Sequence, residues 1–232
     1  MKQIISTIVL ILFCEIAAGQ DGLFSLYKDS SDLVDDAKRI SEKFSADIQK
    51  IEPSLKLDVN VVKNTTSALI YYHKNTINLP LWSEVIPQQK QFFYSMVENE
   101  NEGKTFFGLL FNGFYLVHEF AHALQDNHEG KIEGSYHNEF FANRVAILWW
   151  RGIGKQKELE DCYHFIKKVL DKMPNPVPEN VPIDRYFTEN YNKVADDPMI
   201  YGFMQFKQFI EIYENSNQEN FDSFLQHYLF KK

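Results

Sequence analysis

The sequence is poor in cysteine, in glycine-rich motifs and in net positive charge, and each deficit excludes a class of function. Its two cysteines, Cys14 and Cys162, are too few for a disulfide scaffold or a four-cysteine zinc site. Only 10 glycines occur among 232 residues, and none forms a phosphate-binding loop, so nucleotide chemistry has no visible motif. The net charge of −8 disfavours anionic partners, and we expect no nucleic-acid partner.

The first 19 residues have the layout of a secretory signal peptide. Lys2 supplies a positive start, an apolar stretch follows over residues 4–14, and small residues lead to cleavage after Gly19. The apolar stretch is short for a membrane span, so we expect export to the periplasm, the cell surface or the medium. An uncleaved anchor and lipid attachment at Cys14 are alternatives, and Phe13 disfavours the second. Cleavage would leave no integral membrane span and Cys162 as the one thiol, without a disulfide partner.

The rest of the chain has the composition of a folded domain. Hydrophobic residues make up 44% of the sequence and aromatic residues 15%, which is far from the composition of a disordered chain. Residues 20–232 fit one domain of ordinary size. We expect a strand-bearing N-terminal lobe up to about residue 127 and a helical lobe after it.

Periodicity predicts a mostly helical α+β fold with strands in one short region. Apolar residues recur at helical spacing over residues 31–51, and Pro53 ends the repeat. Stretches rich in Val, Ile, Tyr and Thr at 57–62 and 68–79 predict a small antiparallel sheet, with a turn at 73–75.

The remaining elements are predicted from apolar stretches and from breaker residues. Helices are expected at residues 105–125, 138–151, 155–173, 198–213 and 221–230. The acidic stretch 98–104 and the polar stretch 126–135 are expected to be a solvated loop and a turn. Four prolines between 174 and 182 predict a linker or surface loop.

Residues 118–122 read HEFAH, an HExxH motif inside an apolar predicted helix. Four residues advance a helix by about 400°, so His118 and His122 lie on one face and can bind a single ion. Glu119 points to a neighbouring direction, from which it can take a proton from a water on the open side of the metal. Burying His, Glu and His together without a function is costly, so we interpret the motif as a zinc site rather than core packing.

A catalytic zinc site needs a third protein ligand, and two residues compete for that position. Glu139 begins the next predicted helix, whose Ala142 and Ala146 form a small face that would let it lie close to the first. His128 has the spacing of a three-His pattern, but Gln125 occupies the place where that pattern has a helix-ending glycine. The pattern favours Glu139 and leaves His128 as the alternative.

The HEFAH motif followed by Glu139-x-x-Ala142-Asn143 resembles gluzincin-type zinc metallopeptidases, over roughly residues 57–151. The resemblance implies a zincin-like domain in which His118, His122 and Glu139 bind Zn²⁺ and Glu119 is the catalytic base. Asn143 falls where such enzymes often place an Asp or Asn that supports a His ligand. Residues 67–81 are similar to the edge-strand hairpin that precedes the His helix in small exported metallopeptidases.

An exported zinc peptidase acting on a peptide or protein substrate is therefore the expected function. Tyr201 and Tyr191 are the candidate hydrogen-bond donors to the oxyanion, and the strand within 68–79 is a candidate edge for pairing with an extended substrate. A catalytically silent, zinc-stabilised binding domain is the alternative. A di-iron bundle is a third reading, because Glu119-x-x-His122 is also an ExxH pair. Its nearest second pair, Asp161-x-x-His164, lacks a supporting Glu.

Overall fold

A computed structural model describes residues 22–130 and 134–231. The predicted signal peptide, residues 1–19, lies outside this part of the chain. The described residues form a mostly helical α+β fold with a small three-stranded sheet, as the periodicity predicted. None of the described helices is long and apolar enough to span a membrane.

The first helix follows the predicted apolar repeat. Helix α1 spans Ser30–Ile51, and the Asp29 side chain caps it by accepting a hydrogen bond from the backbone N–H of Ser31. Its buried stripe recurs every three or four residues and includes the fully buried Phe44. This stripe packs against the sheet and against the helix that carries the HExxH motif.

The sheet is mixed rather than antiparallel. Strands β1 (Asn60–Lys63), β2 (Tyr71–His73) and β3 (Thr76–Leu79) lie in the order β1-β3-β2. β2 and β3 form the predicted hairpin, whose turn residues Lys74 and Asn75 have φ of 47° and 56°. The antiparallel prediction is wrong for β1, which pairs parallel with β3. The connection from β1 to β2 carries the chain to the far edge, so that β3 returns between them.

The region before the HExxH helix differs from the prediction in three ways. Helix α2 (Pro87–Met96) has no predicted counterpart, and the acidic stretch 98–104 is not a loop but the start of helix α3 (Glu100–Leu109). The Asn99 side chain caps α3 by accepting from the backbone N–H of Glu102. Acidic residues in the first turn also complement the helix dipole. The expected continuous helix is interrupted by one π-helical turn, Leu110–Phe114, before α4 begins.

Helix α4 spans Tyr115–Glu129 and carries the HExxH motif. It runs four residues into the stretch predicted as a turn, and Gly130 with φ of 82° follows it. The next helices agree closely with the predicted ones: α5 (Tyr136–Gly152), α6 (Gln156–Leu170), α8 (Pro198–Asn215) and α9 (Phe221–Phe230). The proline-rich stretch lacks helix and strand, as expected, whereas helix α7 (Ile183–Ala195) was not predicted.

Helix α5 is the centre of the helical packing. It lies against α4 on one side and α8 on another, with α6, α7 and α9 also in contact. Trp149 and Trp150 at its C-terminal end are almost completely buried and pack edge to face. Both α4 and α8 contact the N-terminal half of α5 at Glu139 and Asn143.

Candidate metal centre

Helix α4 brings the two motif histidines together on one buried face. The Nε2 atoms of His118 and His122 lie 3.1 Å apart, and the two rings are nearly perpendicular at 86°. His118 is buried against the edge of the Tyr115 ring, and His122 is partly accessible. Two ring nitrogens this close need a cation or a proton between them, because their lone pairs would otherwise repel.

Helix α5 supplies the third group. Glu139 Oε2 lies 3.2 Å from His118 Nε2 and 3.4 Å from His122 Nε2. Ala142, one turn further along α5, is completely buried and lets the two helices lie close together, as its small size predicted. The three atoms form a nearly equilateral triangle. Its edges fit one face of a tetrahedron around an ion with bonds of ~2.0–2.1 Å, for which donor atoms lie about 3.3–3.4 Å apart.

A chain of hydrogen bonds determines which nitrogen of His118 carries its proton. The Tyr136 carbonyl can only accept, so it fixes the Gln208 amide with Nε2 towards Tyr136 and Oε1 towards Asn143. Asn143 Nδ2 donates to this oxygen, which leaves Asn143 Oδ1 facing His118 Nδ1 at 2.9 Å. His118 therefore donates from Nδ1, and its Nε2 lone pair points to the triangle.

His122 is oriented in the same way by a residue of its own helix. Its Nδ1 lies 3.1 Å from Oε1 of Gln125, which is buried one turn further along α4. Gln125 Nε2 in turn points to Asn138 Oδ1 at 3.5 Å. Gln125, the residue that departs from the three-His pattern, therefore holds His122 with Nε2 towards the triangle.

The motif carboxylate, Glu119, is held by the edge of the sheet. The backbone N–H of Tyr72 in β2 donates to Glu119 Oε2 at 2.8 Å. Tyr72 pairs with Ile77 of β3 one position before the hairpin's closing pair, so its N–H points away from β3 to the outer edge. Burial raises the pKa of Glu119, and the neighbouring imidazoles of His118 and His122 act against that rise.

The buried Glu139 and the partly accessible His122 form an oppositely charged pair in the metal-free protein. Burial alone would raise the pKa of Glu139, but above all the charge of His122 and its hydrogen bond hold that pKa well below its usual value. Burial alone would lower the pKa of His122, but the charge of Glu139 and their hydrogen bond raise it to about 9. The triangle therefore holds a negative oxygen that attracts a cation.

Both candidate tyrosines lie beside Glu139. The Tyr191 hydroxyl donates to Glu139 Oε1 at 2.6 Å, and Tyr201 is hydrogen bonded to Tyr191. Burial and the negative charge of Glu139 raise the pKa of both phenols, so both remain protonated donors at neutral pH. Their role as oxyanion donors stays a prediction.

Two site residues escaped the sequence analysis, Gln205 and Gln208 of helix α8. Gln205 Nε2 donates to Glu139 Oε2 at 2.7 Å and to the Tyr201 hydroxyl at 2.9 Å, and both glutamines accept from Asn143. The signal was present in the sequence, because two amides three residues apart lie among the apolar residues that form the buried face of this helix.

The alternatives to this arrangement lie elsewhere in the fold. His128 is exposed near the end of α4, with its ring 5.1 Å from that of Tyr228, and does not join the triangle. His164 is exposed on α6, where it faces Glu160. Across residues 22–130 and 134–231, one group of three His, Cys, Asp or Glu side chains has its potential ligand atoms within 4.8 Å of one another. It consists of His118, His122 and Glu139.

The donor set of two imidazoles and one carboxylate suits a divalent ion such as zinc. The triangle of donor atoms, the oriented ring nitrogens and the ionised Glu139 all fit a bound cation. Comparison of the chain with protein-family models, with curated proteins and with solved structures finds no match.

Proposed function

We propose that this protein is an exported, zinc-dependent metallopeptidase with a zincin-like domain. One observation carries the proposal: a nearly equilateral triangle of His118 Nε2, His122 Nε2 and Glu139 Oε2, with the carboxylate of Glu119 next to it in the motif. The triangle would hold the zinc ion through two neutral imidazoles and one carboxylate.

Glu119 distinguishes this proposal from a catalytically silent metal site. A metal held for stability requires the three ligands but no fourth buried carboxylate, and burying an acid without a function costs free energy. Glu119 is 8% exposed, and its Oε2 is fixed by the Tyr72 N–H, so the other carboxylate oxygen is the one available for proton transfer. The raised pKa of Glu119 also suits a group that takes up a proton and releases it.

The chemistry follows from these positions. A bound zinc ion would lower the pKa of a water molecule towards neutrality and polarise the peptide carbonyl. Glu119 accepts the proton of the attacking water on Oε1 and passes it to the leaving amine. Asn143 and Gln125 keep the two imidazoles in the tautomer that presents Nε2. The Tyr191 and Tyr201 hydroxyls, which lie on the Glu139 side of the triangle, are the candidate donors to the developing oxyanion.

The substrate is an extended peptide or protein segment that pairs with the outer edge of β2. β2 is an edge strand of the three-stranded sheet, and it contacts α4 at Glu119. The outward N–H of Tyr72 is held by Glu119, so a substrate would pair with the outward carbonyl of Tyr72, beside that carboxylate. A peptide added there would have its backbone beside Glu119, which is the geometry that peptide hydrolysis needs.

Peptide-library cleavage by wild type and Glu119→Gln, both loaded with zinc, tests the proposal. Glutamine keeps a carbonyl oxygen that can accept the Tyr72 N–H, so the fold and the zinc content should be unchanged. We expect wild type to cleave peptides and Glu119→Gln to lose ~10²–10⁴-fold in kcat. Zinc-loaded wild type that cleaves nothing would support the silent binding domain instead, and equal cleavage by the variant would overturn the role of Glu119.

A further inference from the structure

Helix α8 contributes a buried polar junction that the proposed catalytic steps do not use. Gln205 and Gln208 are 2% and 0% exposed on a helix whose neighbouring residues, Phe203, Met204, Phe206 and Phe209, are buried and apolar. Burying a side-chain amide costs free energy unless all its polar groups are paired. The cost at these two positions must therefore be offset by specific partners.

Every donor of the Gln205 amide has a partner in the candidate metal centre. Its Nε2 makes two hydrogen bonds, to the metal-facing Oε2 of Glu139 and to the Tyr201 hydroxyl. Its Oε1 accepts from Asn143 Nδ2 at 2.7 Å. Turning the amide over would place Oε1 against the Glu139 carboxylate and Nε2 against the Asn143 amide nitrogen, so only one orientation is favourable.

Gln205 also connects two of the three candidate ligands, His118 and Glu139, through hydrogen bonds. Through Asn143 it reaches Nδ1 of His118, and through its own Nε2 it reaches Glu139. The Tyr201 and Tyr191 hydroxyls close a ring back to Glu139 Oε1. Gln208, in contrast, contacts Asn143 and the Tyr136 carbonyl but makes no hydrogen bond to Glu139 among those that the structure describes.

We propose that Gln205 is a positioning residue that aims Glu139 Oε2 at the metal and couples its orientation to that of His118. This inference rests on the proposed zinc site but not on peptidase activity. Its contribution passes through the hydrogen bond to Glu139, so removing Glu139 should remove most of it. Gln208 acts through Asn143 alone, and its contribution should not depend on Glu139.

A double-mutant cycle on zinc affinity separates these roles. Gln205→Met and Gln208→Met are made in the wild-type and Glu139→Ala backgrounds, and zinc affinity is measured by competition with a chromophoric chelator. We expect Gln205→Met to weaken binding ~10–100-fold in wild type. In the Glu139→Ala background this loss of affinity should be smaller by about threefold or more. The loss caused by Gln208→Met should differ by less than about twofold between the two backgrounds.

Two additions keep the result independent of folding and of catalysis. The Gln205→Glu variant keeps an oxygen that accepts from Asn143 but loses both N–H donors. It replaces Gln205→Met in the same double-mutant cycle if the Met variant does not fold. The visible spectrum of the cobalt-loaded protein should change with Gln205→Met, because the carboxylate ligand changes its orientation. A zinc affinity unaffected by Gln205 variants, or a loss equal in both backgrounds, would overturn the inference. Wild type that binds zinc without cleaving peptides would overturn only the proposed function.

Discussion

Zinc binding should displace about one proton from this protein near neutral pH, and zinc affinity should therefore rise with pH. The Nε2 atoms of His118 and His122 lie 3.1 Å apart, with Glu139 Oε2 within 3.4 Å of both. Against the effect of burial, the charge of Glu139 and its hydrogen bond raise the pKa of His122 to about 9. In the metal-free protein a proton on His122 thus occupies the place of the cation, and zinc must displace it.

The magnitude follows from that pKa. At pH 7 His122 lies two units below its pKa of about 9, so about 1% of molecules hold it deprotonated. Zinc affinity at pH 7 should be ~100-fold below its high-pH limit and should change ~10-fold per pH unit. The stability of the metal-free fold changes in the opposite direction. The contribution of His122 is complete below its unfolded pKa of 6.5 and is lost as the pH rises through about 9.

Two measurements test the predicted pH dependence of zinc affinity and the predicted release of a proton. Zinc affinity is determined by chelator competition between about pH 6.5 and 8.5, corrected for protonation of the chelator, and proton release is determined by calorimetry in two buffers of different ionisation enthalpy. Glu139→Gln is the control: without the negative charge the pKa of His122 falls, and fewer protons should be released per zinc ion bound at pH 7. A constant affinity across this range, with no proton release by wild type, would refute the reasoning.

Three further predictions follow from single contacts. Asn143→Ala should weaken zinc binding ~10–100-fold, because His118 Nδ1 loses its acceptor at 2.9 Å; an unchanged affinity in chelator competition would contradict this. Phe44→Ala should lower the free energy of unfolding in urea by ~3–5 kcal/mol, because the ring is fully buried and stacks on Phe120; a loss below ~1 kcal/mol would be inconsistent with that packing. Lys74→Asn should raise the free energy of unfolding by ~0.5–1 kcal/mol, because position 74 has φ of 47° and asparagine tolerates it better; a lower thermal midpoint would count against this.

Much of the candidate metal centre could be predicted because local helix geometry determines it. The spacing of His118 and His122 places both on one face whatever the rest of the fold does. Glu139 required one additional assumption, that the next helix lies close, and the small Ala142 supported it. Asn143 then followed from its position one helical turn after Glu139. These four residues meet in the structure as predicted.

The parts that could not be predicted depend on long-range packing. Nothing in residues 57–79 indicates that β3 lies between β1 and β2, because strand order depends on the path of the connecting loop. The charge of residues 98–104 predicts a solvated loop, whereas the Asn99 cap and the helix dipole stabilise a helix from Glu100 onward. Gln205 and Gln208 lie more than 60 residues from the partners they bind on α5, and only the fold brings them there.

The most direct test of the three-residue metal centre is the zinc content of wild type, Glu139→Ala and His128→Ala after equilibrium dialysis against a limiting zinc concentration. His128 is exposed on the same helix as the motif and is the matched control for loss of a potential ligand. The arrangement of His118, His122 and Glu139 predicts one zinc per chain in wild type and in His128→Ala, and a loss of bound zinc in Glu139→Ala. Zinc retained by Glu139→Ala, or no zinc bound by wild type, would contradict it.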